Sequence, residues 1–362
     1  MTGKKVKTAI VGCGKVGHFH AECFRALPGS EFVGAVGTRP GRGAEFGAQY
    51  GVPGFDSIEE LVDRTGAEAI SICTPHPNHA TYAVEAAELG LHIAVEKPLA
   101  SSLEDCDAII DAAHRTGVVG TTICQRRFYR PAMRIKKAID EGKLGQPILG
   151  TVNMLGWRDM AYYNSDPWRG TWEGEGGGVL VNQAPHQLDL LLWYMGEVEE
   201  VVGLWDTLNH PQLEVDDTAM AMIRFRSGAV GNIVVSNSQN PALFGNVRVH
   251  GSNGASAGVQ TDGGQMFIAG MSDIAEPPVN DLWTVAGEED QLEKFRAEDA
   301  DFFNSVDATS YFHGEQLADF LSAITNGHAP LISLEDGKRT VELFTAIYRS
   351  QRDRAWLKFP LT

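Results

Sequence analysis

Three short stretches carry side chains whose types and spacing could do chemistry. Residues 10–17 read IVGCGKVG, placing Gly12, Gly14 and Gly17 as G-x-G-x-x-G between an apolar run and a helical pattern. There the first glycine permits a tight turn. The second lets backbone approach a pyrophosphate, and the third lets helix pack on strand. The following helix turns free N–H groups and a positive partial charge toward phosphates. Gly12, Cys13, Gly14, Lys15, Val16 and Gly17 are therefore read as a dinucleotide-binding loop. The next apolar run ends in GTRPGR. An NAD site usually has Asp or Glu there to hold the ribose 2′-OH. This chain has Thr38 and Arg39, with Arg42 close by. A hydroxyl and a guanidinium suit a 2′-phosphate, so NADP or NAD is expected, with the balance toward NADP.

The second stretch, VEKPLA, puts Glu96, Lys97 and Pro98 at the carboxyl end of a predicted parallel strand, the edge where open α/β sheets bind ligands. Pro98 restricts Lys97 to extended geometry and raises the chance of a cis bond. A lysine there can donate to a reacting oxygen and share in proton transfer. The third stretch is GGGVLVNQAPHQLDLLLWYMG, in which Asn182, His186 and Asp189 are spaced four and then three residues apart. In a helix they share one face, with Trp193. Val181, Ala184, Leu188, Leu191, Leu192 and Met195 fall opposite and are expected to pack on a sheet. Pro185 is tolerable only in a first turn, so the helix is expected to begin near Asn182 or Gln183. His186 then sits in the first turn, where a general base or acid is typically worth about 10²–10⁴ in rate. An amide cannot ionise, so Asn182 orients a hydroxyl without taking its proton.

These groups need elements to hold them. Up to residue 125, short apolar runs (KTAIVG, EFVGAVG, AEAISICTP, HIAVEKP, VVGTTICQ) alternate with amphipathic helical patterns. That is the mark of βαβ units and a doubly wound parallel sheet. After Gln125 the pattern changes. A helix at PAMRIKKAIDEGKLG precedes strands with turns at 227–228 and 252–254, and Ala219, Ala221, Ile223 and Phe225 fall on one face. An α+β unit with a large, mostly antiparallel open sheet is expected over 126–362, after a nucleotide unit at 1–125, with the last helix able to pack back on the first. The outer face of that sheet is a candidate homo-oligomer interface, as dimer or tetramer. Residues 259–310 are glycine-rich, acidic and weakly periodic, and read as a long excursion from the sheet.

The whole chain has 362 residues, 43 % hydrophobic and 21 % charged, with a net charge of −17. Two domains are the natural expectation, and the acidic balance argues against nucleic acid as a partner. The apolar run after MTGKKVK is broken by glycines after about six residues, too few for a signal-peptide core. No run approaches the ~18 residues of a membrane span. The five cysteines, Cys13, Cys23, Cys73, Cys106 and Cys124, show no zinc spacing and no CxxC pair. Reduced thiols in a cytoplasmic protein are expected. The pairs His18/His20 and His76/His79 lack the spacing of a metal site, and no metal is expected.

The stretches GCGKVGHFH, CTPHPNHATYAVEAAELGLHIAVEKPLA and GGGVLVNQAPHQLDLL together resemble the glucose–fructose oxidoreductase / inositol dehydrogenase / MocA family. The late HGEQLADFLSAITNGHAPLISLEDGKRTVELFTAIYRS resembles its carboxy-terminal segment. The resemblance implies an N-terminal Rossmann domain and hydride transfer between nicotinamide and a sugar, sugar derivative or polyol. It implies that Lys97 and His186 are catalytic and that Glu96 lies against the cofactor. Many members carry aspartate where this chain has Asn182, which moves the proton chemistry to Lys97 and His186. Thr74, Pro75, His76 and Asn78 follow a strand end near which the nicotinamide half passes, and Trp168 and Arg169 resemble a Trp-Arg step near the cofactor. Asn182, Asp189, Arg127, Arg158, Tyr162, Tyr163 and Gln183 are candidates to line a sugar site. Two rival readings are a glycoside hydrolase or lyase of the same family using transient oxidation, and a non-catalytic nucleotide sensor.

Overall fold

The structure is a computed structural model, described over residues 4–243, 245–262 and 277–361. The chain divides into two compact units, one of residues 1–125 and 309–341, the other of 126–308 and 342–362.

In the first unit, strands β1 (Val6–Val11), β2 (Ser30–Val36), β3 (Gly54–Phe55), β4 (Ala69–Ile72), β5 (His92–Val95) and β6 (Gly120–Thr122) form one sheet in the order β3-β2-β1-β4-β5-β6. Every pairing is parallel. Helices α1 (Lys15–Ala26), α2 (Arg42–Tyr50), α3 (Ile58–Thr65), α4 (His79–Glu88) and α5 (Leu103–Thr116) connect the strands. All four residues of β4 are buried, as a strand covered on both faces requires. Ser57 and Ser102 cap α3 and α5, each accepting from a backbone N–H three residues on.

The second unit opens with α6 (Arg130–Asp140) and β7 (Pro147–Leu155). Four helices follow: α7 (Met160–Tyr163), α8 (Trp172–Glu175), α9 (Val179–Asn182) and α10 (Pro185–Met195). Then come β8 (Val198–Asp206), β9 (Thr218–Phe225), β10 (Val230–Ser236), β11 (Gly245–Gly251), β12 (Ser256–Asp262), β13 (Val279–Trp283) and α11 (Leu292–Ser305). Two long helices, α12 (Ala308–Asn326) and α13 (Leu334–Asp353), and β14 (Leu357–Lys358) complete the chain. The eight strands run in the order β13-β12-β11-β7-β10-β9-β8-β14. β7 and β10 pair in parallel, and the other neighbours are antiparallel. Ala219, Ala221, Ile223 and Phe225 are buried, as their alternation required. Gly150 on β7 lets α10 come close, because a Cβ there would meet Leu191 Cδ1 at 2.7 Å.

Two expectations are corrected. Residues 259–310 are not a plain excursion: they hold the end of β12, all of β13, α11 and the start of α12, while 263–276 lie outside the described residues. Also, no single helix starts near Asn182. The one-turn α9 ends at Asn182, and α10 begins at Pro185 after Ala184. The missing N–H of Pro185 makes it a first-turn residue, so the chain turns just before it.

Candidate active site

The first unit brings its candidate residues to one edge. Val11 pairs with Val36 and with Ile72, and Ile72 with Val95, so the segments after β1, β2, β4 and β5 leave the sheet side by side. These segments carry the glycine loop, Thr38 and Arg39, Thr74–Asn78, and Glu96–Lys97. Gly12 has φ +103°, and a Cβ on it would lie 2.6 Å from the Cys73 carbonyl carbon. A Cβ on Gly17 would lie 2.0 Å from the Gly12 oxygen, so α1 can sit against the loop only with glycine there. Gly14 is exposed, and a Cβ on it would meet nothing within 4 Å. As the N-cap of α1 it uses no side chain. A turned loop, an open backbone at its tip and an uncapped helix start fit a pyrophosphate. Thr38 and Arg39 are exposed, whereas Arg42 donates to the Cys13 carbonyl at 3.0 Å and pairs with Glu45.

Lys97 is partly buried, and its peptide bond to Pro98 is cis. Its backbone N–H donates to Glu96 Oε2 at 3.1 Å. Glu96 Oε1 lies 2.9 Å from His20 Nε2, and His20 Nδ1 lies 2.8 Å from Ser71 Oγ. Burial works against both charges, yet each stabilises the other. Cys73 and Glu96 lift His20 to about 10. The hydrogen bond and charge of His20 take Glu96 down to about 2. Glu96 is thus held as a carboxylate from below the sheet edge. His313, from α12, completes a trio with His20 and Glu96 whose ligand atoms lie within 4.8 Å of one another. Sequence spacing missed this trio because residue 313 is remote in the chain. It also missed His79. That ring is fully buried, with Nδ1 2.9 Å from the Pro98 oxygen and Nε2 2.9 Å from the Thr74 oxygen. Burial holds its pKa below the ordinary value. The His79 ring thus lies between the segment after β4 and the segment carrying Lys97, with one N–H to give to one of the two carbonyls.

In the second unit two of the three glycines have a cause. A Cβ on Gly177 would meet the Tyr348 hydroxyl at 2.5 Å, and one on Gly178 would meet the Asp216 carbonyl oxygen at 1.8 Å. Asp216, fully buried, accepts from Gly178 N at 2.7 Å, Leu180 N at 3.1 Å and the Tyr348 hydroxyl at 2.6 Å. It satisfies the first amides of α9 from outside the helix, a capping role that no local sequence signal announces. Asn182, at the end of α9, donates from Nδ2 to the Glu175 carboxylate and, at 3.1 Å, to the Tyr162 hydroxyl. Gln183 Nε2 donates to the same hydroxyl at 2.9 Å, and Arg169 Nη1 at 2.7 Å. Asn237 Nδ2 donates to Gln183 Oε1 at 2.9 Å and to the Tyr163 hydroxyl at 3.1 Å. Burial raises the pKa values of Tyr162, Tyr163 and Glu175. The guanidinium of Arg169 stacks over Trp168 at 4.3 Å and over Tyr162 at 4.4 Å, and that of Arg158 lies 5.5 Å from the Tyr162 ring.

His186 is in the first turn of α10 and is 9 % exposed. One turn on, Asp189 meets Arg127 in a bidentate pair, with Nε to Oδ2 at 2.9 Å and Nη2 to Oδ1 at 2.6 Å. Both residues are buried, and the Arg127 guanidinium also lies over Trp193 at 5.3 Å. Of the substrate candidates, Asn182, Gln183, Tyr162, Tyr163 and Arg158 form one neighbourhood, and Asp189 and Arg127 form another.

The 3-2-1-4-5-6 parallel sheet, with its glycine loop and Lys97 step at the carboxyl edge, defines an NAD-binding oxidoreductase of Rossmann fold. Two family descriptions fit the chain: an oxidoreductase family with NAD-binding Rossmann fold over residues 6–123, and the GFO/IDH/MocA C-terminal domain over 132–257. The chain belongs to the GFO/IDH/MocA oxidoreductase family. It is 26 % identical over 361 residues to a myo-inositol 2-dehydrogenase of Thermotoga maritima, covering 98 % of each chain. It is 29 % identical to a scyllo-inositol 2-dehydrogenase (NAD(+)) of Bacillus subtilis, over 65 % of this chain and 68 % of that one. Among solved structures, the WlbA dehydrogenase from Bordetella pertussis, in complex with NADH and UDP-GlcNAcA, is 29 % identical with a TM-score of 0.85, over 100 % of both chains.

Proposed function

We propose that this protein moves a hydride between a nicotinamide dinucleotide and a ring carbinol or keto carbon of a cyclic polyol, sugar or sugar nucleotide. The observation that carries the reading is the arrival of the glycine loop, the Thr74–Asn78 segment and Lys97 at one edge of the parallel sheet. When bound, the cofactor accepts or returns the hydride at its nicotinamide ring. Gly12–Gly17 hold the pyrophosphate, Thr74, Pro75, His76, Asn78 and Glu96 flank the nicotinamide half, and Trp168 and Arg169 are further cofactor contacts. Lys97 donates to the reacting oxygen. His186 takes the hydroxyl proton in oxidation and returns it in reduction. Asn182 orients a substrate hydroxyl, Arg158, Tyr163 and Gln183 complete the sugar pocket, and the buried Arg127–Asp189 pair braces α10 as framework behind it.

Thr38 and Arg39, exposed after β2 with no carboxylate beside them in sequence, support NADP over NAD. Two of the relatives named above, the scyllo-inositol 2-dehydrogenase and the WlbA dehydrogenase, carry NAD(+) or NADH in their names. Separate fluorescence titrations decide the point, and equal or tighter NAD binding removes the Thr38/Arg39 argument. A homo-oligomer, dimer or tetramer, is supported by the outer sheet face. Leu204 pairs with Met220 and Met220 with Val234; Leu204 and Met220 are 69 % and 53 % exposed, as is Met222 at 57 %. No described helix is long and apolar enough to cross a membrane, which accords with a cytoplasmic location.

The test of the activity is absorbance at 340 nm with NAD and NADP against myo-inositol, scyllo-inositol, UDP-GlcNAcA and common aldoses. Turnover of at least one is expected. No change with either cofactor across the panel overturns the reading.

A further inference from the structure

The strand order 3-2-1-4-5-6 divides the first unit at a switch point between β1 and β4, and a dinucleotide lays one mononucleotide on each half. The segment after β2 takes the adenosine ribose, so the nicotinamide half falls over β4, β5 and β6. These three strands are successive parallel neighbours, about 4.8 Å apart, and the segments after them stand side by side. Two of those segments bury a polar side-chain atom that meets no hydrogen-bond partner: Thr74 Oγ1 after β4 and Gln125 Oε1 after β6. Both residues are more than nine-tenths buried, at 6 % and 8 % exposed. The backbone leading into Gln125 is clamped from two directions. Ile123 N donates to the Val95 oxygen at 2.8 Å, and Cys124 N donates to Gln316 Oε1 at 2.9 Å. A desolvated amide end with no protein partner costs stability, and a fixed backbone cannot carry it to water. Such a group calls for a partner from outside the chain.

We propose that Gln125 is a cofactor-binding residue that takes the carboxamide group of the nicotinamide ring. The inference deepens the nicotinamide reading above and rests on it. A primary carboxamide carries an NH2 donor and a carbonyl acceptor, the complement of a glutamine amide. The match does not depend on which way the Gln125 amide is turned. Its oxygen accepts from the NH2 group, and its nitrogen donates to the carbonyl. Among the described residues of the first unit, Gln125 is the one side-chain amide whose buried end has no partner. The bare Thr74 hydroxyl stands two strand spacings away, so polar groups flank the Glu96–Lys97 step on both sides. Holding the carboxamide fixes which face of the ring is presented.

Gln125→Met keeps the length of the side chain and removes both polar atoms, and Gln125→Leu is a second apolar exchange. Calorimetric titration with NADH and NADPH reads the whole cofactor. Titration with ADP-ribose and its 2′-phosphate, which lack the nicotinamide, reads the rest of the nucleotide site. The Kd for the tighter-binding reduced cofactor is expected to rise about tenfold in either variant, the size of one hydrogen bond to a desolvated amide. The Kd for the matching ADP-ribose is expected to change less than about twofold. The ligand-free variants are expected to melt at or above the wild-type temperature, because the buried amide end serves no protein group. An unchanged cofactor Kd overturns the inference, and a raised sugar KM beside it would assign the amide to substrate instead. Equal losses for cofactor and ADP-ribose overturn it too, since the nucleotide site has then moved as a whole. So does a melting temperature lowered by more than about 3 °C in both variants, which would make the amide part of the framework. The titrations need no turnover. A wild type that binds cofactor but oxidises no panel sugar overturns the activity, and the Kd values still decide the inference. A wild type that binds neither dinucleotide overturns both.

Discussion

Replacing Asp189 by alanine separates a framework role from a substrate role. The carboxylate and Arg127 form two hydrogen bonds at 2.9 and 2.6 Å, and their side chains are 1 % and 3 % exposed. Removing one partner of such a pair strands a desolvated charge and costs about 3–5 kcal/mol. For a body of about 200 residues each kcal/mol moves the transition by about 2–4 °C, so Asp189→Ala should melt about 6–20 °C below wild type. The double variant Arg127→Met/Asp189→Leu removes both charges and fills the space with apolar groups. It should recover most of the loss, because replacing a whole buried pair is often neutral or stabilising. The Arg127 contact over Trp193, worth about 0.5–2 kcal/mol, is what it would not recover. Calorimetry or a urea titration reads both variants. An Asp189→Ala protein melting within about 3 °C of wild type, with a raised sugar KM, would refute the framework role and make Asp189 a ligand contact.

Other outcomes follow from the same geometry. His186→Asn should lower kcat by about 10²–10⁴ at constant NADH affinity, read at 340 nm and by fluorescence quenching. Loss of NADH binding instead would show that α10 serves the cofactor. Gly17→Ala puts a Cβ 2.0 Å from the Gly12 oxygen, so the loop must move and NADH affinity should fall at least about tenfold, or ~1.4 kcal/mol. The His20–Glu96 pair has a signed pH dependence. Glu96 is depressed to about 2, so its stabilisation is complete above an unfolded carboxylate pKa of about 4.3 and is lost as pH falls toward 2. His20 is raised to about 10, so its share is complete below about 6.5 and is lost as pH rises through 10. His20→Gln should therefore move the acid unfolding midpoint to higher pH. Superimposable acid limbs would contradict the pairing.

Much of the architecture is legible in local pattern. β1, β4 and β5 are continuous apolar runs because both faces are covered, and β9 alternates because one face is. Gly12 and Gly17 are readable because only a residue without Cβ fits where they lie. What pattern does not carry is contact at long sequence separation. Asp216 caps α9 from 36 residues away, and His20 reaches Glu96 across 76. Glu175 stands only seven residues from Asn182, yet nothing in EGEGGG marks which acid is buried. The regular stripe through Asn182, His186 and Asp189 concealed a break, because helical spacing continues across a turn that Pro185 makes necessary. β13 escaped notice because a strand at a sheet edge needs little apolar content.

The first unit has a consequence for synthesis on the ribosome. Its core joins Ile10, Phe24, Ala35 and Phe46 to Leu317, Phe320 and Leu321 of α12. Its edge strand β6 is also held by Gln316, which accepts from the Cys124 N–H at 2.9 Å and donates to the Thr122 oxygen at 2.7 Å. The opening 125 residues therefore leave the exit tunnel without the side chains that close their own interior. At about 5–20 residues per second, some 200 further residues mean a wait of about 10–40 s. During that interval the parallel sheet has an uncovered apolar flank and an unclamped edge, the features that recruit chaperones or invite mispairing. A gene fragment stopping at residue 125 makes the exposure permanent, whereas one that fuses 309–341 through a short linker supplies the missing wall.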